Sequence, residues 1–283
     1  MTPEPRSSES VLRIVHLYPH LLGTYGDAGN SIVLRARAQA RAIPAEVVLV
    51  NPGDAVPREG DVYLLGGGED AKQTAAAQEL REDGALVQAA GRGAAVFGIC
   101  AGYQLLGTTF LGVGGVPTQG LGLLDVTTGR LERRAVGNML AKPADGLDLP
   151  ELIGFENHGG ATVLGSGAAP LGVVEIGVGN GVPDATGRRT EGAIQGNVVG
   201  TYLHGPALAL NPALADLLLA AVLGPLAPID DTLNDRLREH RLSHVLPATA
   251  RASRRRSFSD RLRRRASGPS GAAASLSHRS PGA

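Results

Sequence analysis

The chain holds a single cysteine in 283 residues, and its neighbours suit it for chemistry. Cys100 follows the apolar residues Ala94, Ala95, Val96, Phe97 and Ile99, and precedes Ala101, Gly102, Tyr103, Gln104, Leu105 and Leu106. The first group reads as a central parallel strand and the second as the first turns of a helix. Gly98 and Gly102 lie two residues either side of the thiol. A sharp strand-to-helix elbow needs small residues there, because the turn strains its central residue and brings backbones close together. A thiol at a helix start is biased toward thiolate, and the N–H after it can help hold an oxyanion. Without the flanking glycines, Cys100 would read as a small buried core residue, as most lone cysteines do.

Other residues of reactive type lie along the chain. His204 ends a β-branched run over 198–203 and is followed by Gly205. On its own it reads equally well as a semi-buried polar residue. Gly66, Gly67 and Gly68 follow an apolar run and lead into Glu69-Asp70-Ala71-Lys72-Gln73. Such a loop exposes backbone N–H groups to an anion, or is simply a tight turn. No G-K-[ST] follows, so it is not a phosphate-binding P-loop. Glu156 and His158, two apart on an extended segment, point to the same side, but two ligands without a third are weak evidence for a metal. A structural or supporting role suits them better.

The elements that must position these residues alternate. A strand is expected over 11–17, a loop over 18–30, a helix over 31–42, strands over 46–50 and 62–65, and one helix over 75–92 before the cysteine strand. That order predicts an α/β fold with a mostly parallel central sheet flanked by helices, and a site outside the carboxyl ends of its strands. Further on, 121–127 reads as a strand, 177–191 as a hairpin loop and local insertion, and 212–223 and 230–240 as helices.

The motifs then reach a resemblance. G-I-C-A-G-Y-Q over 98–104 resembles the G-x-C-x-G-x-Q nucleophile elbow of class I glutamine amidotransferases, and most of all their cobyric-acid-synthase-like branch. Within that branch the chain is most similar to the GatD-like glutaminase subunits of lipid II isoglutaminyl synthases. G-G-G-E-D over 66–70, T-Y-L-H-G over 201–205 and Y-G-D-x-G-N over 25–30 occur in the matching order. The last of these is also ordinary turn and N-cap chemistry, and no single residue in it acquires a role. The resemblance implies Cys100 as nucleophile and His204 as its base. It implies an oxyanion hole from the N–H groups of Ala101 and of Gly67 or Gly68. Gln104 and an arginine would position the substrate glutamine. The matching arginine is Arg134, in R-A-V-G-N, with Arg133 beside it; a guanidinium can grip an α-carboxylate through two hydrogen bonds. Many relatives carry Glu two residues after the histidine, where this chain has Pro206. A third catalytic group would have to come from elsewhere, with Glu156 as a speculative candidate. The expected machinery is therefore a Cys–His dyad.

The resemblance further implies a heterodimer. A MurT-like Mur ligase partner would hold ATP and Mg, receive ammonia, and amidate the D-glutamate of the lipid II stem peptide to D-isoglutamine. This chain would need no cofactor or metal of its own, and it shows no ATP motif. Related amidotransferases act on cobyrinate-type acceptors, and a scaffold that has kept the fold is the non-catalytic alternative.

Composition bounds these expectations. The chain is 43% hydrophobic but only 3% aromatic, with no Trp, so its core must be largely Val, Leu, Ile and Ala. One cysteine rules out an internal disulfide framework and fits a reducing compartment. No apolar run approaches a membrane span, and the first residues lack a signal-peptide core, so a cytoplasmic protein is expected, able to work at the inner membrane face. The net charge of zero conceals a division: from Thr249 onward there are nine Arg and one acid, Asp260, leaving 18 basic and 26 acidic residues before it. The amidotransferase domain is expected over 11–245, between disordered segments at 1–10 and 246–283. The basic tail lacks the interleaved aromatics of a nucleic-acid binder, and weak attraction to an anionic membrane is the expectation for it.

Overall fold

The computed structural model describes residues 11–23 and 25–245, so the expectations for the two termini lie outside the described residues. The chain divides into two compact units, Met1–Glu239 and His240–Ala283. The first unit carries everything that bears on the site.

The first half alternates as expected. In order come β1 (Leu12–Leu17), α1 (Gly29–Gln39), β2 (Ala45–Val50), β3 (Val62–Leu65), α2 (Asp70–Asp83), α3 (Ala85–Gly91), β4 (Ala95–Ile99) and α4 (Ala101–Leu106). The helix expected over 75–92 starts earlier and is two helices. Gly84 takes φ 71° between them, a left-handed C-cap that ends α2. Then follow β5 (Thr109–Leu111), β6 (Pro117–Gln119), β7 (Val126–Pro143), β8 (Leu152–Leu164), β9 (Gly172–Ile176), β10 (Thr190–Glu191), β11 (Ala193–Gln195) and β12 (Val198–Thr201). Helices α5 (Ala207–Leu210), α6 (Pro212–Leu223) and α7 (Thr232–Val245) complete the described chain.

One sheet has the order β11-β12-β4-β3-β1-β2. All its pairings are parallel except β11 with β12. Strands β3, β4 and β12 are buried along their whole length, as apolar strands covered on both faces should be. Helices α1, α4 and α6 pack against this sheet. The core is aliphatic, with Tyr18, Tyr63, Tyr103 and Tyr202 fully buried among it. No helix among the described residues is long and apolar enough to cross a membrane.

The second sheet was not expected. Its order is β10-β9-β7-β5-β6, with β8 paired to β7. The strand expected over 121–127 is instead the approach to β7, which begins at Val126 and continues to Pro143. Two features hid this sheet. Glycines interrupt its long strands, at Gly129 and Gly137 in β7 and at Gly154, Gly159 and Gly160 in β8. In addition, the buried face of β8 carries Glu156, His158 and Thr162, so the usual apolar alternation is missing.

Candidate active site

Four adjacent parallel strands, β12, β4, β3 and β1, end side by side, and each delivers one part of the site. After β4 comes Cys100, after β12 His204, after β3 the glycine loop, and after β1 the loop that contains Tyr25 and Asp27. Register explains the convergence: Thr201 lies opposite Ile99, Leu65 opposite Gly98, and Leu17 opposite Leu65.

Cys100 adopts φ 52° and ψ −104°, outside the ordinary regions for a residue with a side chain. Its N–H donates to the Thr201 carbonyl at 2.9 Å, which fastens the elbow to the end of the histidine strand. The thiol is nearly buried, yet it opens onto the cleft. Ala101, the first residue of α4, lines the cleft beside it. The first N–H groups of a helix have no partner within the helix, so this amide is suited to an anionic oxygen.

His204 is fully buried. Its main chain is held by the Phe155 carbonyl at 2.9 Å, a bridge from β8. Its ring stacks on Phe155 at 5.4 Å and meets the edge of Tyr25 at 5.0 Å. Nδ1 lies 3.2 Å from both carboxylate oxygens of Asp27, which is also fully buried at the side chain. Nε2 makes no conventional hydrogen bond, and Cys100 is the neighbouring group that can exchange a proton with the ring. Burial pulls the imidazole pKa down, but bonding to Asp27 and Cys100 outweighs burial and raises it to about 9. An imidazole of that basicity can take the thiol proton and keep it.

The carboxylate on the histidine is therefore Asp27, which the two-residue dyad expectation did not include, and not Glu156, the speculative candidate. The Glu156 carboxylate accepts from the Val178 and Gly179 N–H groups at 2.8 and 3.0 Å and lies 3.5 Å from His158 Nε2. Those backbone amides hold it in the second sheet, as the structural role of the Glu156–His158 pair requires. His158 stacks on Tyr202 at 3.7 Å, and its Nδ1 bonds the Gly160 carbonyl at 3.1 Å.

The loop that brings Asp27 is fixed where it enters α1. Asn30 donates to the Asp27 carbonyl at 2.9 Å, and its own amide oxygen accepts from the Leu208 N–H at 2.9 Å, just beyond His204. Pro206 occupies the place where a Gly29 side chain would be, with its Cγ only 2.4 Å from such a Cβ. Below, α1 is locked to the rest of the fold by Arg37, whose guanidinium lies between Asp216 and Asp231 at 2.6 to 2.9 Å. The Y-G-D-x-G-N cluster thus builds the junction between acid and base, as well as a turn.

Gly67 sits at the centre of the site. A side chain there would lie 2.9 Å from His204 Cε1, 3.1 Å from Asp27 Oδ2 and 3.5 Å from Cys100 Cβ, so only hydrogen fits. The Gly67 N–H donates to Asp27 Oδ2 at 2.8 Å, which commits that donor to the acid. Gly68 also lines the cleft.

The cleft has a volume of about 770 Å³. Arg134 and Gln104 both line it, whereas the neighbouring Arg133, as exposed as Arg134, does not. Arg134 arrives on β7 just before the register irregularity between Arg130 and Ala135 ends. Its Nε donates to Asn157 Oδ1 at 2.6 Å. Gln104 accepts from Gln73 at 3.0 Å and donates to the Tyr202 hydroxyl at 3.2 Å, which continues to Thr162 at 2.7 Å. This polar chain holds the Gln104 amide at the cleft floor. Tyr25 and Asn157 also face the cleft, although the motifs gave them no role.

The chain is similar to known proteins over most of its described length. The family model of the CobB/CobQ-like glutamine amidotransferase domain matches residues 13–212. The GatD subunit of lipid II isoglutaminyl synthase (glutamine-hydrolysing) from Staphylococcus aureus is 37% identical over 210 residues, covering 74% of this chain and 83% of that protein. The GatD subunit from Streptococcus pneumoniae is 34% identical over 215 residues, covering 75% of this chain and 80% of its own length. Cobyric acid synthase from Sphingopyxis alaskensis is 35% identical over 189 residues, but these make up only 35% of that longer protein.

Proposed function

The chain belongs to the CobB/CobQ-like glutamine amidotransferase family, and from that premise we propose that it is the glutamine-hydrolysing subunit of a lipid II isoglutaminyl synthase. The observation that carries the reading is the arrangement at His204: Nδ1 on Asp27 at 3.2 Å, with the strained Cys100 elbow beside the ring.

His204 takes the thiol proton, and the Cys100 sulfur attacks the side-chain amide carbon of L-glutamine. The Ala101 and Gly68 N–H groups receive the tetrahedral oxyanion, and no protein group moves to meet it. His204 then returns the proton to the departing nitrogen, and ammonia leaves. Water, activated by the same imidazole, cleaves the glutamyl thioester and releases L-glutamate. Asp27 holds the ring in the tautomer this cycle needs and stabilises the imidazolium. Arg134 grips the α-carboxylate, and Gln104 positions the rest of the amino acid.

The two GatD relatives, by name, are subunits of a synthase, so a partner subunit follows from this reading. A MurT-like Mur ligase suits that place: it would bind ATP and Mg, receive the ammonia, and amidate the D-glutamate of lipid II at the cytoplasmic face of the membrane. The length match favours this over a cobyrinate acceptor, because the GatD relatives align over most of their length and the cobyric acid synthase over a third.

Ammonia release from L-glutamine tests the reading, measured with and without the co-expressed ligase and with Cys100→Ala as control. Release that depends on Cys100 and rises with the partner is expected. No Cys100-dependent release under either condition would leave the fold serving as a scaffold.

A further inference from the structure

Strand β8 alternates across the second sheet. Glu156 and His158 face inward, and Asn157 between them faces the cleft. Both ends of its side-chain amide are engaged there. Its Oδ1 accepts from Arg134 Nε at 2.6 Å, its backbone carbonyl accepts from Arg134 Nη2 at 3.1 Å, and its Nδ2 donates to the Tyr25 hydroxyl at 2.6 Å. The amide orientation follows from this network, since a guanidinium only donates and must meet the oxygen.

Donor accounting shows what is left over. Arg134 has five N–H groups, and Asn157 occupies the edge formed by Nε and Nη2. The opposite edge, formed by Nη1 and Nη2, keeps two parallel donors for a carboxylate. The Tyr25 oxygen accepts from Asn157, so its own proton is free to turn into the cleft. Tyr25 itself holds φ 62°, a conformation that residues with a Cβ rarely adopt. Its ring is held by His204 at 5.0 Å and Phe155 at 5.7 Å, and Asp27 lies two residues further along.

We propose that Tyr25 and Asn157 are positioning residues for the substrate, a clasp that presents the outer edge of Arg134 to the α-carboxylate and ties it to the loop bearing Asp27. The inference rests on Arg134 being the carboxylate binder. A free arginine on an exposed strand samples many rotamers, and holding one edge fixes where the other points. The clasp also joins the two halves of the site, since Tyr25 touches both the Arg134 network and the His204 ring.

A double-mutant cycle on the full chain with its ligase partner tests this, with L-glutamine as substrate and ammonia as readout. Arg134→Ala is the reference and should lower kcat/KM at least tenfold. Tyr25→Phe should raise KM about three- to tenfold, with the smaller change in kcat, as expected for one lost neutral hydrogen bond. Asn157→Ala should raise KM further. Combined with Arg134→Ala, each clasp substitution should cost less than twofold, because nothing remains to be positioned. If Arg134→Ala lowers kcat/KM but the clasp substitutions cost as much in its background as alone, or nothing in either, the clasp is overturned while Arg134 keeps its place. If Arg134→Ala itself leaves kcat/KM unchanged, the arginine reading falls and the clasp with it.

Discussion

Two histidines of this fold have nearly the same surroundings and, in the proposed mechanism, opposite uses. His204 and His158 are both buried and both near the cleft. Each stacks on an aromatic ring, Phe155 at 5.4 Å and Tyr202 at 3.7 Å. Each has one ring nitrogen near a carboxylate, Asp27 at 3.2 Å and Glu156 at 3.5 Å, and in each Nε2 lacks a conventional partner. The difference lies in what the other atoms touch. At His204 the acid is on Nδ1, which leaves Nε2 for the thiol. At His158 the Gly160 carbonyl holds Nδ1, so Nε2 is the nitrogen that faces the acid. Burial and a nearby carboxylate therefore do not make a general base. A free nitrogen facing a nucleophile does, and only a loop at the ends of the parallel strands supplies one.

The sharpest way to break the comparison is to remove the reacting pair. Cys100→Ala and His204→Ala should each cost about 10³-fold or more in glutamine hydrolysis, whereas His158→Gln should cost far less than either. Equal losses from the two histidines would erase the distinction. Next in size, Asp27→Asn should lower kcat about 10²-fold with little change in KM. It should also move the alkaline limb of the pH–rate profile down from about 9, because Asp27 bonding is part of what raises His204. Glu156→Gln should leave that limb in place.

His158→Gln should show itself instead in stability. It removes the Tyr202 stack and the Gly160 bond, and a loss of about 1–3 kcal/mol in chemical denaturation is expected. The smallest expected effect belongs to Glu191, which shares the interior of the second sheet. Burial raises its pKa to about 7 against the bonds from Thr201 and Tyr202 that lower it, and the Glu156 charge adds to the rise. The folded state thus binds more protons than the unfolded state between about pH 4.5 and 7, and stability should fall as pH rises through that window. Glu191→Gln should flatten that dependence; an unchanged slope would show that the carboxyl is ionised throughout.

The positions of the proposed reacting pair were legible in the sequence because they depend on local order. An elbow needs strand, small residue, nucleophile, small residue and helix in succession, and residues 94–106 supply all of them. His204 was legible as the end of a β-branched run. Asp27 was visible only as a turn residue, since the partner that gives it a role lies 177 positions away. Tyr25 and Asn157 are likewise separated by 132 positions. The second sheet escaped because β8 buries Glu156, His158 and Thr162 and the long strands carry glycines, so neither a period of two nor a β-branched run marked it. The helix over 75–92 was expected to be continuous because one glycine in a helical pattern is tolerated, and only the left-handed φ of Gly84 shows the break.

An NMR titration of the imidazole nitrogens in the full chain tests the central claim most directly, with wild type beside Asp27→Asn. The account predicts a His204 ring that stays protonated up to about pH 9 in wild type and titrates lower when Asp27 is neutralised. A His204 ring that titrates at or below its ordinary value of 6.5 in wild type, indifferent to Asp27, would contradict it.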